Sequence, residues 1–587
     1  MQTNPSPPEA NNFLDSRWYA AVDLLCLVIA GALWVVSRGE LGWWPLLIAV
    51  LPWPARILNG RFPLSRTPFD WLFLLFLITA VIGIWTAYDG SAAWAKFWLI
   101  VGAILLFYAL AGQPPANIWP IWGAMAVFAS GISALFLFSH NWVEQPARFA
   151  SLQQLGQSWM SLRPQLPLNP GLLQSSAADG LMAMLTPAWV AAALYLIRRR
   201  SWLPLILILF AGVLLTIGLL FSSSRSAWLA LAGGILIWLL WAISRRISRK
   251  QVLSRRQAFL SLLFLSILIV TALILLYPGG LAGIARQMPG PSRINRLALS
   301  QDTFNLIRDY AITGAGLGSF PGQYSQYSQI TPVFLFDHAH NLYLDTALEQ
   351  GVAGLVILLA LFGLSFWLLA GLEYALPAVS ENDLLHGSLL AGLTVIMLHG
   401  VVDDPLYAGG GLLLLFAFSG VTAAITRFHP SPINVSGLRL SPSVILITAM
   451  LILGVLSAVA FRFSLRSTWQ ANLGAVAMAQ VELDSDWPTN KWQGNSKAQQ
   501  LAGAEAKFSR ALEFNNHNIT ALYRLGLIAL ARQDFDAAVG YLTAAQQLNP
   551  GHRGVQKALG YSLLWSGDME TSGELLSTLP ETCLLYT

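Results

Sequence analysis

Charge is what this chain most lacks. Only 11% of its 587 residues are Asp, Glu, Lys or Arg, against 55% hydrophobic residues, and the mean hydropathy is +0.58. A water-soluble fold of this length needs far more polar surface, so the composition excludes one. Cysteine is nearly absent too. Cys26, inside an apolar run, and Cys583, near the end, offer neither a disulfide framework nor a cysteine metal cluster. The net charge of +5 is small and concentrated in short loops, which argues against a nucleic-acid surface. A cleavable signal is missing as well: the polar Met1–Ser16 passes directly into a run too long for a signal h-region, so the first span is expected to be retained.

Long apolar runs are what the chain has instead. Runs able to cross roughly 30 Å of hydrocarbon fall near 18–37, 41–57, 69–88, 92–112, 117–139, 179–198, 201–221, 226–244, 258–278, 347–371, 383–402, 408–426 and 442–463. The expected fold is an all-α, polytopic transmembrane bundle of 12–13 helices. Arg and Lys gather in alternate short connections: Arg56, Arg61 and Arg66; Arg198, Arg199 and Arg200; Arg245, Arg246, Arg249, Lys250, Arg255 and Arg256; then Arg427 to Arg439. By the positive-inside bias these mark the cytoplasmic side, and they alternate consistently from a cytoplasmic tail at 1–17. The Trp residues read as interface belts, and Asp23 as a group reaching the interface or a polar neighbour.

Three connections then fall on the opposite side: His140 to Gly180, the turn Ser222 to Ser226, and the large loop 279–343. Within the loop, Ser292 followed by Ile294 to Thr313 reads as a capped amphipathic helix, with Leu297, Phe304, Ile307 and Ala311 on one side. It would lie over the bundle as a lid. Gly314-Ala315-Gly316-Leu317-Gly318 ends it; without a strand before and a helix after, these glycines do not make a dinucleotide loop.

After the membrane domain at 18–463, polar character returns at 470–580 with a new period. Ala511/Ala545, Phe514/Leu548, Asn515/Asn549, Leu525/Leu559, Gly526/Gly560 and Asp534/Asp568 are each 34 positions apart, the tetratricopeptide period. Two repeats are visible where about three are usually needed, so the array is expected to continue. The closing 583–587, Cys-Leu-Leu-Tyr-Thr, can be translated from a transposon mosaic-end sequencing adaptor, and no function is placed on it.

The chemistry concentrates at Phe336 to Gly351, where Asp337, His338, His340, Asn341, Asp345 and Glu349 precede a long apolar run. Asn341, Asp345 and Glu349 share a helix face at four-residue spacing. Ionisable groups at a membrane boundary are costly unless paired or used, which makes this a candidate site. Arg225 beside the serines, Arg293 and Arg296 at the loop helix, and His399, Asp403 and Asp404 join it on the same surface. Guanidinium forks bind phosphate oxygens in pairs, and a neutral imidazole accepts a proton near pH 7, so a diphosphate substrate suits the set. Each residue has a plainer reading. Arg225 would snorkel to headgroups, Arg293, Arg296 and Arg308 would form a solvated helix face, and His399 with Asp403 would cap their helix or pair with each other. His338 and His340 with Asp337 as zinc ligands is the weaker metal alternative.

These residues resemble the O-antigen ligase and polymerase superfamily of bacterial envelope glycosyltransferases, over Trp18 to Phe463. The resemblance rests on His340-Asn341-Leu342-Tyr343-Leu344 with Leu348-Glu349-Gln350-Gly351-Val352-Ala353-Gly354-Leu355, on Ser224-Arg225-Ser226, on Arg296 to Phe320, and on His399-Gly400-Val401-Val402-Asp403-Asp404-Pro405. It implies transfer of a glycan from an undecaprenyl-diphosphate carrier to an acceptor hydroxyl, outside the cytoplasmic membrane and without metal or cofactor. It implies His340 as general base, with His338 the alternative, and Arg225 and Arg296 on the diphosphate. Arg293, His338, Asn341, Glu349 and Asp403 would support substrate binding, Asn341 and Glu349 by orienting the helix entrance and imidazole. The acceptor would be a lipid, a glycan or a protein, so ligase, polymerase and protein O-oligosaccharyltransferase all remain open. The repeats favour a protein partner. A lipid-glycan transporter would place its ionisable groups near the bilayer midplane instead, and a scaffold would have no reason to gather Arg225, Arg296 and His340.

Overall fold

The computed structural model describes residues 16–60, 62–164, 175–248, 253–276, 296–329, 336–371, 381–428, 462–484 and 500–579. Regular structure among them is helical throughout. Nine described helices are long and apolar enough to cross a membrane, and Asp70–Thr86 and Asp383–His399 are shorter apolar ones. The protein is an all-α polytopic membrane protein. Eleven of the thirteen expected spans coincide with these helices. The 442–463 run lies outside the described residues except for its last two positions, as do Arg293, the start of the large loop and the closing tail.

The 41–57 run departs from the expected single helix. Pro45, Pro52 and Pro54 break it into Trp44–Ala49 and Trp53–Leu58, because a proline removes a donor and clashes with the preceding turn. It still travels back along the first helix, Arg17–Val36. The Trp34 indole donates to the Gly42 carbonyl at 2.7 Å, the Tyr19 hydroxyl bonds the Pro52 carbonyl, and Arg56 reaches Asp23 at 3.0 Å. Tyr19 and Trp34 are about 22 Å apart along a helix rising about 1.5 Å per residue, so the broken segment returns across most of the bundle. The alternation of basic connections therefore survives the break. At that same end Arg255 pairs with Asp383 at 2.7 Å, alongside Arg245.

The other end carries the candidate site, and a strap secures it. The helix Leu342–Gly371 is interrupted at Gly351, whose φ of 73° and ψ of 177° leave the helical region. That interruption frees backbone groups which need new partners. The loop supplies them: Ala315 N donates to the Leu348 carbonyl at 2.6 Å, and Val352 N donates to Ala311 O at 2.9 Å. On its other side Leu317 N donates to Gly83 O at 3.0 Å, at the end of Asp70–Thr86. The strap can pass here only as glycine, since a Cβ on Gly316, at φ 108°, would lie 2.3 Å from the Ala87 backbone. The Gly314–Gly318 run is a wedge between two helices.

The loop helix is Arg296–Asp309, shorter than expected, and its buried face is Leu299, Asp302, Thr303, Leu306 and Ile307. Leu297 and Phe304, expected to share the inward side, are exposed. The reason lies in what covers it. Of the C-terminal helices, Arg462–Glu482, Ala502–Phe514 and Ile519–Ala531 share one apolar core with the loop, while Phe535–Leu548, Arg553–Ser566 and Met569–Ser577 build a second core with Ile519–Ala531. Their 34-residue period is structural. Asn518 and His552, 34 positions apart, cap alternate helices, as do Asp534 and Asp568, and Gly526 meets Leu542 as Gly560 meets Leu576. The helices Ile519–Ala531 and Arg553–Ser566 face the loop. Arg524, fully buried, pairs with Asp309 at 2.8 Å and lies 3.4 Å from the Tyr327 ring centre. Arg553 pairs with Asp302 at 3.0 Å, and Lys557 donates to the Gln326 and Gln329 carbonyls at 3.0 and 2.7 Å. Asn472 takes the Ile312 and Thr313 amides at 2.9 and 3.1 Å, just before the strap.

Removing one member of a buried pair leaves the other charged and unpartnered. Arg524→Ala is expected to weaken this docking by about 3–5 kcal/mol, read as earlier proteolysis of the C-terminal helices in nanodiscs. Arg524→Met combined with Asp309→Leu is expected to recover most of the loss, because no buried charge then remains.

Candidate active site

The turn before Leu342–Gly371 is stitched at both ends. The Asn341 side chain caps the helix, its Oδ1 accepting from the Tyr343 and Leu344 amides at 3.0 Å each, while its Nδ2 donates to Val401 O at 2.8 Å. Leu342 N donates to Gly400 O, also at 2.8 Å, and Ala339 N donates to Asp345 Oδ1 at the same distance. The turn after the helix Glu381–His399 is thereby fixed against the turn carrying the histidines. Between these bonds His340 takes a left-handed conformation, φ 52°, which a non-glycine residue keeps only where its surroundings over-determine it.

That conformation brings the two imidazoles together over one carboxylate. The His338 and His340 ring centres are 4.3 Å apart. His340 Nδ1 lies 3.1 Å from Asp403 Oδ1, and His338 Nε2 lies 3.8 Å from the same oxygen. Arg296 approaches Asp403 Oδ2 at 3.6 Å and also donates to the Val402 carbonyl. Burial opposes the charge on Asp403, but the nearby His338 imidazole, the His340 hydrogen bond and charge and the Arg296 charge outweigh it and hold the carboxyl well below the usual range. A carboxylate on Nδ1 favours the tautomer with its proton there, which leaves Nε2 as the ring's acceptor. His340 and Arg296 stay partly exposed, while Asp403 is buried.

Arg225 opens the helix Arg225–Ser248 behind a serine turn. Ser223 is left-handed at φ 54°, and the Ser224 hydroxyl accepts from Ala227 N at 3.3 Å. Beside it Asp179 faces both the Ser224 hydroxyl and His399, whose Nε2 is 3.5 Å from Asp179 Oδ1. His399 and Asp403 thus have different side-chain partners, and their only mutual bond is Asp403 N to His399 O at 2.9 Å.

Residues 210–359 match the model of the O-antigen ligase family. The match supports membership of the O-antigen ligase superfamily for this part of the chain. The match begins within the helix Trp202–Ser222 and ends just past the Gly351 break, so it includes Arg225, Arg296, His338, His340, Asn341 and Glu349. Comparison with curated proteins finds no match.

The candidate site also draws on residues that sequence reasoning missed. Lys96, in the helix Gly90–Ala111, pairs with Glu349 at 2.7 Å and lies 3.9 Å from the Tyr407 ring centre. Gln350 links the Tyr407 hydroxyl to Thr79 at 2.7 and 2.8 Å. Glu349 therefore sits two turns down the helix on a partly buried lysine, and the imidazole it was expected to orient is held by Asp403. Asp404, whose Oδ1 accepts from Tyr407 N at 2.8 Å, has its pKa raised by burial, with Lys96 and His338 pulling the other way. Asp179 and Arg148 are the other additions. Partial burial disfavours the Arg148 charge first, followed by Arg225 and Arg296, while Asp179 favours it. A lone Lys within an apolar run was the one available signal for Lys96.

His338, His340 and Asp403 present ligand atoms within 4.8 Å of one another, a donor set of the kind that holds a divalent cation. Arg296 already approaches the same carboxylate, and a second cation there would face the guanidinium. The arrangement fits a hydrogen-bonded dyad better.

Asp403→Asn keeps the shape but removes the charge that fixes the His340 tautomer. We expect kcat to fall by about 10²-fold, within the range general bases supply, with little change in donor KM. Steady-state transfer with purified protein checks both.

Proposed function

We propose that the protein moves a glycan from an undecaprenyl-diphosphate carrier to an acceptor hydroxyl on the extracytoplasmic side of the cytoplasmic membrane. The observation that carries this reading is the Asp403–His340 dyad with Arg296 against it, at 3.1 and 3.6 Å. The acceptor oxygen attacks the anomeric carbon of the donor sugar as the bond from that carbon to the diphosphate oxygen breaks. His340 Nε2 takes the acceptor proton, and Asp403 stabilises the imidazolium that forms. The electron pair leaves with the diphosphate, whose growing charge Arg296 and Arg225 offset through paired hydrogen bonds. His338 shares Asp403 and is the reserve base. Asn341 supports the step by fixing the turn, and Glu349 by anchoring the helix beneath it.

Ligation to a lipid, extension of a polymer and glycosylation of a protein differ in the acceptor, and the dyad serves all three. The inner helices of the repeats engage the chain's own loop, so an acceptor or partner protein would use their outer side.

Membranes from a strain lacking its own ligase provide the test, with lipid-linked donor and product resolved on gels. Wild type is expected to give product, and His340→Ala to accumulate donor while inserting normally. Equal product from both would move the base to His338, and none from either would reject the reading. Arg225→Lys is expected to lose most activity because a point charge cannot replace the fork. Treatment with EDTA is expected to leave transfer intact, as the Arg296 contact with Asp403 implies.

A further inference from the structure

Resting on that reading, we propose that Arg148 is a third guanidinium of the donor site, gripping the carrier's diphosphate together with Arg225 and Arg296. No sequence motif pointed to it, and it lies outside the stretch matching the ligase family.

The segment that delivers Arg148 is built, and its parts can be named. Trp142 is fully buried and meets Phe136 and Phe221 edge-on, at ring distances of 6.0 and 5.8 Å. Gln153 closes the turn, donating to Trp142 O and accepting from Ala147 N, both at 2.6 Å. Arg163 ties the following helix back to the Leu137 and His140 carbonyls at 2.9 Å each. Phe149, next to Arg148, stacks on Trp228 with ring centres 5.9 Å apart and planes 8° from parallel. Trp228 stands three residues beyond Arg225 on the same helix, hence on nearly the same side. The Trp228 indole is itself held by Leu219 O at 3.0 Å. Stacking thus sets Arg148 near the start of the helix that Arg225 opens.

The electrostatics then ask for an anion. Arg148 stands within reach of the charges of Arg225 and Arg296, with Asp179 the one carboxylate acting on it. Arginines that only snorkel to headgroups have no reason to gather, whereas three guanidinium charges within reach of one another suit a group with several phosphate oxygens. Two sources carry that chemistry: the donor's diphosphate and an anionic lipid headgroup. The anchoring beside Arg225 favours the donor.

The test is direct binding of undecaprenyl diphosphate to the full chain in nanodiscs of zwitterionic lipid. Wild type, Arg148→Ala, Arg148→Lys and Arg225→Ala are compared, with Arg308→Ala, on the exposed side of the loop helix, as control. Arg148→Ala is expected to raise Kd about tenfold, the loss of one charge-assisted contact. Arg148→Lys should fall between, Arg308→Ala should match wild type, and undecaprenyl monophosphate should show a smaller effect. Equal affinity of Arg148→Ala and wild type, with Arg225→Ala weakened, would overturn the role of Arg148 and leave the transfer reading standing. A difference that emerges only when phosphatidylglycerol is added would assign Arg148 to headgroups and overturn it too. Failure of wild type to bind the carrier would reject both.

Discussion

The break in Leu342–Gly371 at Gly351 is the constraint on which the site depends. An unbroken helix would satisfy its own backbone and offer the loop nothing. With the break, the Leu348 carbonyl and Val352 amide become attachment points, and the strap from Ala311 to Leu317 completes the ladder from outside. Loop and membrane helices are thereby joined through backbone hydrogen bonds, which the glycines of the strap make room for. Arg296 and Asp403 come from segments more than a hundred positions apart, yet this attachment and the Leu342–Gly400 bond hold them at one place.

The membrane part of this fold was legible because a bilayer demands about 20 apolar residues per crossing, and few other structures leave that record. The 41–57 run shows where the record fails: hydropathy fixed that it returns, while its prolines determined that it does so as two short pieces. The 34-residue spacing of the C-terminal helices has a different, local basis. Asn518, His552, Asp534 and Asp568 cap their helices, so their spacing follows from local backbone needs and can be seen without knowing the partner.

The site was legible only in part. His340, Arg225 and Asn341 sit in dense local motifs, and Asn341 does cap the helix entrance. Pairings over long separations left no trace in the order of residues, which is why Lys96 with Glu349, Asp403 with His340 and Asp179 beside His399 emerge only from the fold. The inward face of the loop helix was misjudged for the same reason. Leu297 and Phe304 are as apolar as Leu299 and Leu306, and the helix Leu342–Gly371 together with the docked C-terminal helices decides which pair is covered.

That docking also bears on the order of synthesis. A ribosome makes the loop helix Arg296–Asp309 more than two hundred residues before Arg524 and Arg553, the side chains that pair its buried carboxylates. Through that interval Asp302 and Asp309 must stay hydrated and the loop's apolar face uncovered. The membrane helices can settle as they emerge, but the end that carries the candidate site is finished only after Arg524 and Arg553 have been made. A truncated product would carry the same arginines and histidines, and it would lack the cover that holds the loop down.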